Sequence, residues 1–198
     1  MTTDYTEADF GVELPSPSTL LRAFREPVIA VRRDRDVLES AHELVQCHER
    51  RHGALEAAHA AEATPDRVAE CSRLVEEIDA RRVELISRID DWVAVNIPHR
   101  TGASLHTETL GAVIDRMAAK WVAAQQALGV REPAARHSKS TDGRARRRTG
   151  PYRISEDRPH RGVDAEAHLQ WSRLAELADG YKDLITEVAQ HRRRLPVW

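Results

Sequence analysis

The sequence predicts an all-α protein, an antiparallel bundle of about four long helices with a disordered basic loop before the last helix. Three observations lead there. Apolar residues recur at steps of three, four or seven over long stretches, the spacing that lines one face of a helix. Helix punctuation such as Thr64-Pro65-Asp66 and Ile97-Pro98 separates those stretches. Only 5% of the residues are aromatic and β-branched clusters are few, which disfavours a sheet-built core.

The bulk composition narrows the class. At 198 residues, with 41% hydrophobic and 31% charged residues, the chain can bury a sizeable core and is too apolar for a disordered protein. A net charge of -2 argues against a nucleic-acid footprint spread over the whole molecule. The acidic start, Met1 to Glu7, has no apolar core of a signal peptide, and no apolar run approaches the ~18 residues of a membrane span. The expectation is a cytoplasmic protein that meets no membrane. Cys47 and Cys71 suit a reducing compartment. On two helices hinged near Thr64 they are offset by about 15 Å, too far for a disulfide.

The elements follow in order. Residues 1 to 33 read as an N-terminal arm carrying one short helix, from Ser16-Pro17-Ser18 through Phe24. A bundle domain from 34 to 198 follows. Its first long helix runs from about Asp34 to Ala61, with Asp34 or Asp36 as cap. The second starts at Thr64-Pro65, ends near Ile97, and carries the stripe Cys71, Leu74, Ile78, Leu85, Ile89 and Trp92. The third, capped by Ser104 or by one of the threonines Thr107 and Thr109, ends near Leu128-Gly129 and carries Leu110, Ile114, Met117, Trp121, Ala124 and Leu128. The fourth spans about Asp164 to Arg193, with Leu174, Leu177, Tyr181, Leu184 and Val188 on its seam. Residues 130 to 163 break the period with ten Arg or Lys against four acids, and read as a solvated, flexible loop or as a basic arm for an acidic partner.

Several groups carry candidate chemistry. His48-Glu49-Arg50-Arg51-His52 matches the H-E-x-x-H zinc pattern, so His48 and His52 are metal candidates, with Glu49 in the place of the base. Both middle positions are Arg and the third ligand is missing, so no metal is expected. His48, His52 and His59 share an arc with Ala41, Val45 and Leu55, which places imidazoles where core side chains belong. Arg82 lies on the seam of the second helix between Ile78, Leu85 and Ile89, and a buried guanidinium needs a carboxylate partner. Ideal hairpin register puts it opposite Gln46, within a turn of His48. In Leu105 to Arg116, Glu108, Gly111, Asp115, Ala118 and Val122 fall on one helical face. Gly costs about 1 kcal/mol in a helix, so Gly111 beside two acids suggests close approach by another helix or a ligand.

Thr107-Glu108-Thr109-Leu110-Gly111 with Asp115-Arg116, preceded by Ile78-Asp79, Arg82, Glu84 and Ile89-Asp90, resembles domain-of-unknown-function family 4254. The resemblance covers roughly residues 37 to 128 and, more weakly, the closing helix. It implies a helical bacterial protein with no assigned activity and a polar constellation at these positions. The family's Asn-Gln-x-Arg-Asn-Asp run is reduced here to Arg82 and Glu84, and Leu110 stands where Pro is common.

The reading that results is an accessory or interaction protein whose bundle encloses a polar cluster of Arg82, Glu108 and Asp115, with His48 or His52 nearby. The alternative is an enzyme using Glu108, Asp115 and His48 as acid–base groups. Arg82, Thr107, Thr109, Gly111 and Arg116 then bind an anionic small molecule. No cofactor is expected. The partners in view are an unidentified protein, approached through a surface such as the Leu195-Pro196-Val197-Trp198 end, or that small molecule; a homodimer is one arrangement and nucleic acid is not expected.

Overall fold

Local signals start and stop the helices largely where the sequence puts them. The computed structural model describes residues 13–29, 32–98, 100–129 and 160–196, with only the backbone of 160–164. The arm before residue 13, the basic segment 130–159 and Trp198 lie outside the described residues. Helix α1 (Pro17–Arg25) begins where the Ser16 side chain accepts the Thr19 N–H at 3.2 Å. Helix α2 spans Arg35–His59. Asp34 stands at its start but makes no side-chain cap, because Arg32 holds both carboxylate oxygens at 2.8 and 3.1 Å. Thr64 caps α3 (Pro65–Asn96) by accepting the Arg67 N–H, and the extended Ile97 ends it before Pro98.

Helix α4 is Leu110–Gly129, and its cap is Thr109 rather than Thr107 or Ser104. The Thr109 hydroxyl accepts the Ala112 N–H at 3.2 Å, and its carbonyl accepts the Val113 N–H. Helix α5 is His160–Ala189. Two-residue strands β1 (Ser104–Leu105) and β2 (Arg193–Arg194) pair in parallel, tying the entry of α4 to the exit of α5. The described chain is all-α apart from this clasp, and among the described residues no helix is long and apolar enough to cross a membrane.

Helices α2 and α3 form an antiparallel hairpin, laced by Arg88 with Asp36, Arg81 with Glu43 and Arg51 with Asp79. Helix α4 packs against both of them, and α5 and α1 close over α4 and α2. The expected stripes of α3, α4 and α5 are buried or half-buried, except that Leu128 at the end of α4 is exposed. The stripe of α2 follows the expected arc at Ala41, Val45 and the largely enclosed His48, and then leaves it. Its core residues are Val37, Leu38, Ala41, Leu44, Val45, Cys47 and Ala54, so His52 and His59 lie off the core. Phe24, Trp121 and Trp171 meet in series, the first pair tilted and the second edge to face, with ring centroids 6.1 and 5.8 Å apart. Tyr181, almost fully enclosed, donates its hydroxyl to the Pro15 carbonyl at 2.7 Å. Cys47 and Cys71 are buried and unbridged.

At Gly111 the start of α4 lies hard against the backbone of α3. A Cβ there would lie 2.5 Å from the Ile86 carbonyl oxygen and 3.0 Å from the Ile86 Cα on α3. The ligand-or-helix question at this glycine is therefore answered by a helix. At Gly53 a Cβ would meet nothing within 4 Å. Gly111→Ala is expected to destabilise the fold by about 1–3 kcal/mol through overpacking, whereas Gly53→Ala should stabilise it by up to about 1 kcal/mol. Denaturant titration of the two variants checks the contrast.

Candidate functional site

Positions 82, 86 and 90 share one face of α3, and positions 111 and 115 share one face of α4. The two faces meet with their chains antiparallel. Gly111 sits over Ile86, and each flank carries a carboxylate.

On one flank Asp115 lies between α3 and α2. Its Oδ1 accepts from Arg82 Nε at 3.1 Å and faces His48 Nε2 at 2.8 Å, and its Oδ2 accepts from Arg82 Nη2 at 2.6 Å. An ionised carboxylate only accepts, so His48 carries its proton on Nε2. Arg82 Nη1 donates to Asp79 at 2.7 Å, and Asp79 accepts from Arg51 Nε at 3.1 Å. Five groups of alternating character thus run His48, Asp115, Arg82, Asp79, Arg51. Side-chain exposure rises along the row, from 12% and 13% at His48 and Asp115 to 22% at Arg82 and 39% and 37% at Asp79 and Arg51. The predicted carboxylate partner of Arg82 exists. It comes from α4, while Gln46 bonds His42 instead.

Burial pushes the Asp115 carboxyl up, but the hydrogen bonds from His48 and Arg82 outweigh it and hold the group below the usual carboxylate range. Asp79 is likewise held low against its burial by Arg82 and Arg51. The bond to Asp115 raises the already high value of Arg82.

On the other flank Asp90 Oδ1 accepts the Gly111 N–H at 2.8 Å, with the Thr109 side chain also favouring the charged carboxylate. Asp90 thereby satisfies a free amide of the α4 start from a neighbouring helix. Its burial raises its pKa, partly offset by the Gly111 bond and by Thr109. The sequence reading placed Asp90 only among the residues of a family pattern. The available signal was its spacing of four and eight from Ile86 and Arg82.

The other predicted site residues divide. Glu108 does not join Arg82 and Asp115; it pairs with Arg116 at 2.8–2.9 Å in a half-exposed surface bridge. The physical reason is the helix start. Thr109 caps α4, so Glu108 precedes the helix and leaves the helical phase of Asp115. Thr109 and Gly111 serve the α3–α4 contact, and Thr107 is exposed in the loop before α4. His52 faces Glu56 at 3.1 Å, and His59 Nδ1 lies 2.7 Å from the Leu55 carbonyl oxygen. The two histidines of the zinc-like pattern therefore turn to different carboxylates. Among the described residues no three His, Cys, Asp or Glu side chains converge as a metal set. A groove of about 490 Å³ opens nearby between α2 and α3, walled by Arg50, Gly53, Ala54, Cys71, Leu74 and Glu77 among others, and none of the five network residues lines it.

These features define a helical protein whose central three helices are joined by a graded ion-pair network and a glycine contact. The chain belongs to the DUF4254 family of proteins of unknown function, whose model matches residues 38–197, the closing helix included. Comparison with curated proteins and with solved structures gives no match.

Asp115 and Asp79 have depressed values in the folded state, so each contributes stability above the unfolded-state value near 4 and loses it as pH falls through the folded value. Asp115→Asn is expected to lower stability at neutral pH by about 1.5–3 kcal/mol. The gap from the wild type should shrink as pH drops from about 5 towards 2, read by denaturant titration at successive pH values.

Proposed function

We propose that this is a non-catalytic accessory protein of the bacterial cytoplasm that acts by binding a protein partner, with the five-membered network fixing the relative positions of α2, α3 and α4. One observation carries the reading. Arg82 and Asp115 are spent on each other. The Nε–Nη2 edge of Arg82, which would grip an anionic ligand, is taken by both oxygens of Asp115. Asp115 is held ionised and accepts three hydrogen bonds, which weakens it both as an acid and as a base. Two buried, unbridged cysteines suit a reducing compartment.

The acid–base alternative needs Arg82 to release Asp115 for a substrate, and needs Glu108 to leave Arg116. Neither group borders the groove between α2 and α3. Under the accessory reading the network is replaceable by apolar packing, which is often neutral when a whole buried ion group is exchanged. The triple variant His48→Leu, Arg82→Met, Asp115→Leu is expected to keep the helical spectrum and to stay within about 2 kcal/mol of wild-type stability. It should also restore the phenotype of a deletion strain. A folded triple variant that fails to restore that phenotype, while the surface variant Arg35→Met, which breaks only the exposed bridge to Glu39, succeeds, supports the enzyme instead.

A further inference from the structure

The ion pairs between α2 and α3 join opposite charges along most of the hairpin. Asp36 and Glu39 meet Arg88, Glu43 meets Arg81, and Arg51 meets Asp79. The register of Arg88 with Asp36 and of Arg81 with Glu43, continued along the helices, places Arg50 opposite Leu74 and beside Arg73. There the lacing fails. Two arginines occupy one stretch, one on each helix, and among the described residues neither forms an ion pair.

Both arginines line the groove of about 490 Å³ between the two helices. Its floor is apolar. Ala54 and Cys71 are 6% and 4% exposed, and Ala57 and Leu74 are half-buried. Arg50 and Arg73 are exposed, so both guanidinium groups can reach a ligand lying over that floor. The volume falls in the range that small ligands occupy.

The charges select the ligand. The third arginine of the lining, Arg67, is held by Glu70 at 2.9 Å. Glu77 also lines the groove, one helical turn from Arg73, and forms no ion pair among the described residues. Arg50 and Arg73 outweigh it, and an anion bound between them relieves their mutual repulsion. Each guanidinium presents a planar fork of N–H donors. A carboxylate has two oxygens and fills one fork. A phosphate monoester carries three terminal oxygens and a charge of about −2, enough for a fork from each helix. Ala54, Ala57 and Leu74 then face the organic part of the molecule.

We infer that this groove is a binding site for small phosphate monoesters with a compact apolar body, gripped by Arg50 and Arg73 from opposite helices. The test is titration of the full chain with phenyl phosphate at physiological salt, read by calorimetry and thermal unfolding. Phenol, benzylamine, inorganic phosphate and a peptide carrying one phosphotyrosine serve as comparison probes. Phenyl phosphate should bind saturably and raise the unfolding midpoint. Inorganic phosphate should bind about tenfold more weakly, the peptide no more tightly, and phenol and benzylamine not at all. Arg50→Gln and Arg73→Gln, both at exposed positions, should each weaken phenyl phosphate binding by about tenfold. Glu77→Gln should strengthen it, and Arg35→Gln, remote from the groove, should leave it unchanged. No saturable binding of phenyl phosphate to the folded wild type overturns the inference. So does binding that survives both arginine substitutions, equal affinity for phenol, benzylamine or inorganic phosphate, or tighter binding of the peptide. The result stands apart from the accessory reading, whose triple variant alters no residue of this groove.

Discussion

The contact of Gly111 with the Ile86 backbone is the constraint on which the centre of this protein depends. Two helices can approach this closely only where one lacks a side chain, and the approach sets which residues meet on either flank. One turn along α4, Asp115 falls between Arg82 and His48. One turn along α3, Asp90 reaches the amide end of α4. A larger residue at position 111 would disturb both flanks together, because each polar contact is short and directional while apolar neighbours can slide.

The ion-pair row shows how a helical core can hold an arginine. Removing charge from water is expensive, and the row offsets that expense by alternating sign and by leading outward. His48 and Asp115 are most enclosed, and Asp79 and Arg51 reach solvent. Water thus screens the outer pair, while the inner pair keeps its strength. The arrangement favours specificity of helix placement over reactivity, since the groups that would perform chemistry hold one another.

Much of the fold was legible because its signals are local. Thr64-Pro65 and Ser16-Pro17 mark helix starts through their own hydrogen bonds, and the stripe from Cys71 to Trp92 needs only a regular period. The site was legible in part. Arg82 announced its need for a carboxylate by its place on an apolar seam, and Gly111 announced a close neighbour. What sequence spacing could not settle was which partner answers, because Asp115 is 33 residues away and on another helix. Spacing alone groups Glu108 with Asp115, because nothing short of the Thr109 cap shows that the helix starts at Leu110. Spacing points His52 and His59 inward by extending the arc of Ala41 and Val45, whereas past His48 the buried side of α2 runs through Ala54. The Ser104–His106 stretch and Arg192–Arg194 meet only through the two-residue clasp, for which short range offers no signal.

The bond from Tyr181 to the Pro15 carbonyl has a temporal meaning. It joins positions 166 residues apart, so the Pro15 segment cannot be fastened until α5 exists. During synthesis α1 first has α2 to lean on, then meets Trp121 of α4 through Phe24, and gains its remaining support only with α5. The stretch around Pro15 and α1 is thereby among the last to acquire its full set of neighbours.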